Sequence, residues 1–130
     1  MNPMKAFAKV SVKMGKGIKI KINTDFSSAP GPRKRESGAF SGEEFRERVL
    51  IPKFNEALEA GEALIIDLDG TKGYGQSFLE EAFGGLVRDM SEIDVQEISK
   101  RLAFISQEEP YLEEDIREMM RQARKALVAA

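Results

Sequence analysis

The chain has 130 residues, 42% hydrophobic and 32% charged, with a formal net charge of −2 and neither cysteine nor histidine. That places it among single-domain globular proteins burying about two-thirds of their unfolded surface. It also removes disulfide, thiol and zinc-thiolate chemistry, and the side chain most often used as a neutral-pH base or transition-metal ligand.

The charge is unevenly placed. Residues 1–35 hold nine Lys or Arg against Asp25 alone, +8, and the remainder holds 11 against 21, −10. No apolar run approaches a membrane span, and the N-terminus lacks the apolar core of a signal peptide. A cytoplasmic, non-enzymatic protein without metal, cofactor or membrane contact is therefore expected.

From Ala6 to Met14 the even positions are Ala6, Ala8, Val10, Val12 and Met14, against Lys5, Lys9, Ser11 and Lys13, which predicts a strand. After Gly15-Lys16-Gly17 the alternation resumes as Ile18, Ile20 and Ile22 against Lys19, Lys21 and Asn23, so a hairpin with one buried and one lysine face is expected. That basic face reads as a solvated edge that blocks sheet-to-sheet aggregation, as a nucleic-acid contact, or as a surface for an acidic protein. No interleaved aromatics favour nucleic acid.

Residues 27–42, SSAPGPRKRESGAFSG, read as a long loop, of the kind that is either functional or disordered. Its Arg33, Lys34 and Arg35 can receive a phosphate or an acidic patch, or extend into solvent as a solvated charge run.

Ser41 with Glu44 forms a capping box before Phe45, Val49, Phe54 and Leu58, predicting a helix over about 42–60. Pro52 should kink or split it, Gly61 should stop it, and Arg46 and Arg48 should extend into solvent or pair with Glu47 and Glu43. The run Ala63, Leu64, Ile65, Ile66 predicts a strand buried on both faces, with Asp67 and Asp69 on the face of Ile65. Gly70, Gly73 and Gly75 make the following turn. Ser77 with Glu80 fits a second capping box, opening a helix through Leu79, Ala82, Phe83, Leu86, Val87 and Met90. Within it Gly84 and Gly85 each cost roughly 1 kcal/mol relative to alanine, which implies close approach of another backbone or a partner's side chain.

Gly70 to Ser77 matches the spacing G-x-x-x-x-G-x-S, but Gln76 stands where a nucleotide loop needs lysine, which argues against nucleotide hydrolysis. Backbone N–H groups at the helix start can still hold an anion or small ligand. Asp67, Asp69, Glu80 and Glu81 read as strand-end, cap and solvent-facing residues rather than a magnesium or acid-base site. A short helix over 92–99 is expected from Ser91 and Asp94, then a strand at Leu102, Phe104 and Ile105. Pro110 opens a last helix whose stripe Leu112, Ile116, Met119, Met120, Ala123 and Leu127 should pack on the sheet.

The segments DFSSAPGPR, SGEEFRERVLIP and DLDGTKGYGQSFLEEAFGGLVR resemble the STAS-like bacterial domains of unassigned function, related to the sulfate-transporter and anti-sigma-factor-antagonist domains. The motif-bearing part covers 25–88 of a single domain over 1–130. The resemblance implies a small α/β domain with a mixed sheet, built of the N-terminal hairpin and central strands, and helices mainly on one side. In the antagonists, the matching strand, loop and helix start carry a serine phosphorylated by a histidine-kinase-like ATPase, and the phosphate breaks the complex.

For this chain the resemblance implies a non-enzymatic regulatory module that binds a protein partner, such as that ATPase, through Gly73, Tyr74, Gly75, Gln76, Ser77 and Glu81. Tyr74 would be the aromatic anchor, and Ser77 a phosphate acceptor as well as a cap. Gln76 and Ser77 stand where those proteins carry two serines, and Gly75 where they usually carry aspartate; Gln76 cannot be phosphorylated. Two other readings stand beside it: a nucleic-acid-associated protein using the hairpin lysines with Arg33, Lys34 and Arg35, and anion or small-ligand binding at the glycine turn.

Overall fold

The computed structural model describes residues 17–129. The expected strand over 6–14 and most of the turn after it lie outside them. The second arm of the expected hairpin is a strand, β1 (Ile18–Lys21), shorter than its alternation suggests. Its end has a local cause: Asp25 Oδ2 accepts the Lys21 N–H at 2.7 Å, and Ile22–Asp25 winds into a single helical turn, α1.

β1 pairs in parallel with β2 (Leu64–Asp67), and β2 pairs in parallel with β3 (Leu102–Ile105), giving the order β1-β2-β3. The register sets Leu64 between Ile18 and Leu102, and Ile66 between Ile20 and Phe104. With the period of two, these residues share one face and Lys19, Ile65, Asp67 and Ala103 the other. Ile20, Leu64 and Ile66 are fully buried, so theirs is the core face.

Two right-handed crossovers that advance across a sheet in the same direction lay their helices on the same face. The core accordingly lies between Leu64 and Ile66 of the sheet and Phe54, Phe78, Phe83, Ile98 and Ile116 of the helices. This is a small α/β domain with its helices on one side. Among the described residues no helix is long and apolar enough to cross a membrane.

Helix α2 covers 42–60 in three joined stretches, Gly42–Phe45, the π-helical Arg46–Leu50, and Ile51–Ala60. Its start follows the sequence reading: the Glu44 N–H donates to Ser41 Oγ at 3.0 Å. Pro52 does not end it, and stands in the first turn of its third stretch, directly after the π-helical one. The ring has no N–H for the carbonyl one turn back, and the wider π turn directly before it accommodates the missing bond. Gly61, at φ 67, ends the helix in the left-handed conformation, with the Glu62 N–H donating to Ala57 O at 3.0 Å.

Helix α3 covers 76–89 in the same pattern: Gln76–Leu79, the π-helical Glu80–Gly84, and Gly85–Asp89. Helix α4 (Val95–Arg101) starts later than expected, because Asp94 is itself the cap and accepts the Gln96 N–H at 2.7 Å. The final helix α5 (Leu112–Ala129) buries Leu112, Ile116, Met120 and Ala123, while Leu127 is left exposed. Its arginines satisfy carbonyls at other helix ends. Arg117 Nη1 donates to Ser99 O at 2.6 Å, and Arg124 Nη2 donates to Met90 O at 3.2 Å beyond the end of α3.

Candidate functional site

The chain leaves β2 through a loop clasped to its neighbours. Asp69 accepts the N–H groups of Gln107 and Glu108 at 3.1 and 3.0 Å, and Glu108 Oε1 accepts the Gly70 N–H at 2.9 Å. The loops that follow β2 and β3 are thereby tied together. Gly70 at φ 92 and Gly73 at φ 119 reverse the chain in a region closed to most side chains. The Lys72 N–H reaches back to Ser28 O at 2.8 Å.

Tyr74 lies under this loop rather than on it. It is half-buried, its hydroxyl donates to Leu68 O at 2.7 Å, and its ring sits 6.0 Å from that of Phe78. Burial, with Asp67 and Asp69 nearby, pushes its phenol up to about 12. It is therefore a bolt holding the loop to β2, and the loop presents Gly75, Gln76 and Ser77, all exposed, with Gly73 half-buried beside them.

The cap at this point differs from the capping box expected. Gly75 takes the cap position, Gln76 opens the helix, and no side chain caps it. Ser77 is inside the first turn with its side chain at the surface, and the Glu80 carboxylate is drawn away by two guanidinium groups. Arg33 Nη1 lies 2.5 Å from Glu80 Oε1, and Arg88 Nη1 lies 2.7 Å from Glu80 Oε2. Those bonds, Arg88 first, hold Glu80 below the usual carboxylate range despite partial burial.

Glu81, expected in solvent and at an interface, is 4% exposed. It receives Arg46 Nη1 at 2.7 Å, Lys34 Nζ at 3.2 Å and Arg33 Nη1 at 3.4 Å. Burial pushes its carboxyl up, and the bonds from Arg46 and Lys34 outweigh that and leave it low. Arg46, expected in solvent or paired with Glu47, is 8% exposed; its Nη2 lies 3.8 Å from Glu47 Oε2, and Nη1 gives a second bond to Glu81 O at 2.6 Å. Its Nε lies 3.0 Å from Asp89 Oδ2 as an ion pair, without hydrogen-bond alignment.

The two π stretches bring this pair together, since Arg46 begins one and Glu81 is the second residue of the other. The internal glycines make room for it. A Cβ on Gly85 would run into Arg46 Nη1, and a Cβ on Gly84 would meet Glu80 Oε2 at 2.5 Å. A Cβ on Gly42 would meet Phe78 O at 2.5 Å, so α2 and α3 also approach closely at their starts.

The loop over 27–42 is ordered by the same charges. Its neck is closed by the Gly31 N–H on Phe40 O at 2.8 Å and the Gly42 N–H on Pro32 O at 2.8 Å. Arg33 and Lys34 turn onto Glu80 and Glu81, and Arg35 onto Glu47, so all three cations engage the chain's own carboxylates.

The STAS-like domain of unknown function is a protein family whose profile matches residues 41–112. The chain belongs to that family. No curated protein and no solved structure gives a match. The match to the STAS-like family begins at the Ser41 cap and ends at the start of α5, so the loop over 31–40 precedes it.

Within this STAS-like domain, the predicted site residues separate into an exposed set, Gly75, Gln76 and Ser77, and a set beneath it. Tyr74 and Glu81 belong to the second. The Arg46, Glu80 and Arg88 network went unread in the sequence, although Arg46 shares a helical line with buried Leu50 and Phe54, and Gly84 and Gly85 sit one turn after Glu80 and Glu81.

Among the described residues no group of three acidic side chains is arranged to hold a metal ion. A groove of about 390 Å³ between β1 and α2, lined by Lys19, Asp25, Arg48, Val49 and Pro52 among others, shares no lining residue with the glycine loop.

Proposed function

We propose that this domain is a non-enzymatic, cytoplasmic regulatory module that binds a partner protein through the glycine loop and the exposed start of α3. One observation carries the reading. Gly75, Gln76 and Ser77 stand exposed at an uncapped helix start, on a loop pinned from below by Tyr74, Lys72 and Gly70. A surface held rigid by its own chain loses little freedom when a partner covers it, which favours binding. The absence of histidine and cysteine from the sequence supports a role without catalysis.

A histidine-kinase-like ATPase is the partner class the antagonist relatives suggest, and Ser77 is the residue through which it would act. Its hydroxyl has no cap duty and faces out. A phosphate there adds about −1.5 to −2 charges. Ser77 lies three and four residues before Glu80 and Glu81, the spacing that places side chains on one helix face. The phosphate would compete with those carboxylates for Arg33 and Lys34, and would obstruct a close interface.

The test is a tagged pull-down from lysate of the native organism, with and without ATP, using wild type, Gln76→Arg and Ser77→Asp. Retention of a kinase-like ATPase that responds to ATP and falls at least tenfold in both variants, at unchanged Tm, is expected. Equal retention by Gln76→Arg would remove the loop from the interface. Recovery of nucleic acid that is lost on adding salt would replace the proposal altogether.

A further inference from the structure

The strap formed by 31–42 carries an aromatic side chain that the fold does not bury. Phe40 is 42% exposed and has φ 57, and it is the one non-glycine with positive φ among the described residues. Bulky side chains avoid that region, and a backbone kept there must be fixed by its surroundings.

Here the fixings are visible. Phe40 O accepts the Gly31 N–H at 2.8 Å, the Phe40 N–H donates to Glu44 Oε1 at 3.2 Å, and the ring stands edge-on to Phe26 at 5.6 Å. The ring is held in one place with an open side facing out. Such an aromatic binds with small loss of rotamer freedom, the property that makes anchors of interfaces.

Its neighbours define the complement. Residues 31–40 carry Arg33, Lys34 and Arg35 against Glu36 alone. The Lys34 and Arg35 side chains are each close to half exposed, each with one ion-pair partner, Glu81 and Glu47. An ammonium has three donors and a guanidinium five, so both keep donors for a second carboxylate. The strap also shares a floor with the glycine loop: Phe26 lies under Phe40 and 6.2 Å from Phe78 in the first turn of α3, and Ser28 O holds the Lys72 N–H.

We propose that Phe40 is an anchor of the partner interface, seated in an apolar cleft of a partner protein whose rim carboxylates meet Lys34 and Arg35. The inference rests on the protein-binding reading above and extends that surface from the α3 start onto the strap. Residues 31–40 of the strap lie before the span matched by the family.

The full chain, carrying a benzoylphenylalanine photocrosslinker at position 40 or at position 76, is irradiated in cells of the native organism. The expected result is one and the same protein joined from both positions, with the peptide joined at 40 apolar and bordered by Asp or Glu. Phe40→Ser should lower the yield from position 76 at least tenfold with Tm unchanged or raised, and Arg35→Glu should lower it severalfold. A product from 76 with none from 40 overturns the Phe40 anchor and leaves the loop interface standing. A product from neither overturns both, and one from 40 alone keeps the anchor and removes the glycine loop. Nucleic acid joined at 40, or a Tm loss in Phe40→Ser matching that of a core deletion, also overturns it.

Discussion

Replacing Glu81 with glutamine tests whether the buried charge hub holds α2 to α3. Arg46 and Glu81 are 8% and 4% exposed, and Nη1 to Oε2 is 2.7 Å. Removing one partner of a buried pair generally costs about 3–5 kcal/mol, because the other charge is left uncompensated. Here Arg46 keeps its bond to Glu81 O at 2.6 Å and Asp89 at 3.0 Å, so the cost should fall to the bottom of that range or just below it, about 2–3 kcal/mol. With an unfolding entropy near 2.1 cal/mol/K per residue, a domain of this length should lose about 7–11 °C in Tm.

Arg35→Gln removes only the exposed contact with Glu47 and should shift Tm by less than about 2 °C. Thermal unfolding followed by circular dichroism gives both values. Exchanging both partners, Arg46→Met with Glu81→Leu, should recover a large part of the loss, since no buried charge is then orphaned. If Glu81→Gln melts with the wild type, the pair does not fasten the helices and the assignment of the Gly84-Gly85 pair falls with it.

Gly85→Ala gains about 1 kcal/mol of helix propensity but drives a methyl into pinned Arg46, so a net loss of about 1–2 kcal/mol is expected. Gly75→Ala, whose Cβ meets nothing at φ −73, should lose less than about 1 kcal/mol by the same melt, the cost of a poorer cap without a clash. Tyr74→Phe leaves Leu68 O without its donor and should lose about 1–1.5 kcal/mol. In wild type the folded phenol titrates near 12, above its unfolded value, so its contribution is whole below about pH 10 and lost as pH rises through 12, readable by ultraviolet titration. Glu80 and Glu81 are depressed below 4.5 in the folded state, so the stability they contribute is present above that pH and lost as acid protonates them. Acid unfolding of Glu81→Gln should accordingly be less steep below about pH 4.5.

The parts of the fold governed by local rules were legible in the sequence. The Ser41 cap, the Gly61 stop, the buried strand at Leu64 and the apolar stripe from Leu112 to Ala123 each follow from spacing and residue type alone. What escaped depended on partners distant in the chain. Arg46 meets Glu81, 35 residues on, and nothing in the local pattern of either marks them as a buried pair. Ser77 with Glu80 satisfies the capping formula, yet Arg33, 47 residues before Glu80, takes the carboxylate that the formula requires. Tyr74 has an interface residue's composition and a loop position, and only the bond to Leu68 O shows that it also braces the loop.

These misses redistribute the functional argument. The run SFLEEAFGGLVR lies inside the span that matches the family, and the fold accounts for nearly all of it. Phe78, Phe83 and Leu86 fill the core; Glu80 and Glu81 bind the strap and α2, with Arg88 on Glu80; Gly84 and Gly85 clear space for Glu80 and Arg46. A motif explained by packing carries no further information about a partner. The residues to weigh for binding are those the fold does not require: Gln76 and Ser77 at an uncapped helix start, and Phe40 in a backbone conformation that its side chain disfavours. The first two lie inside the span that matches the family profile and the third just before it.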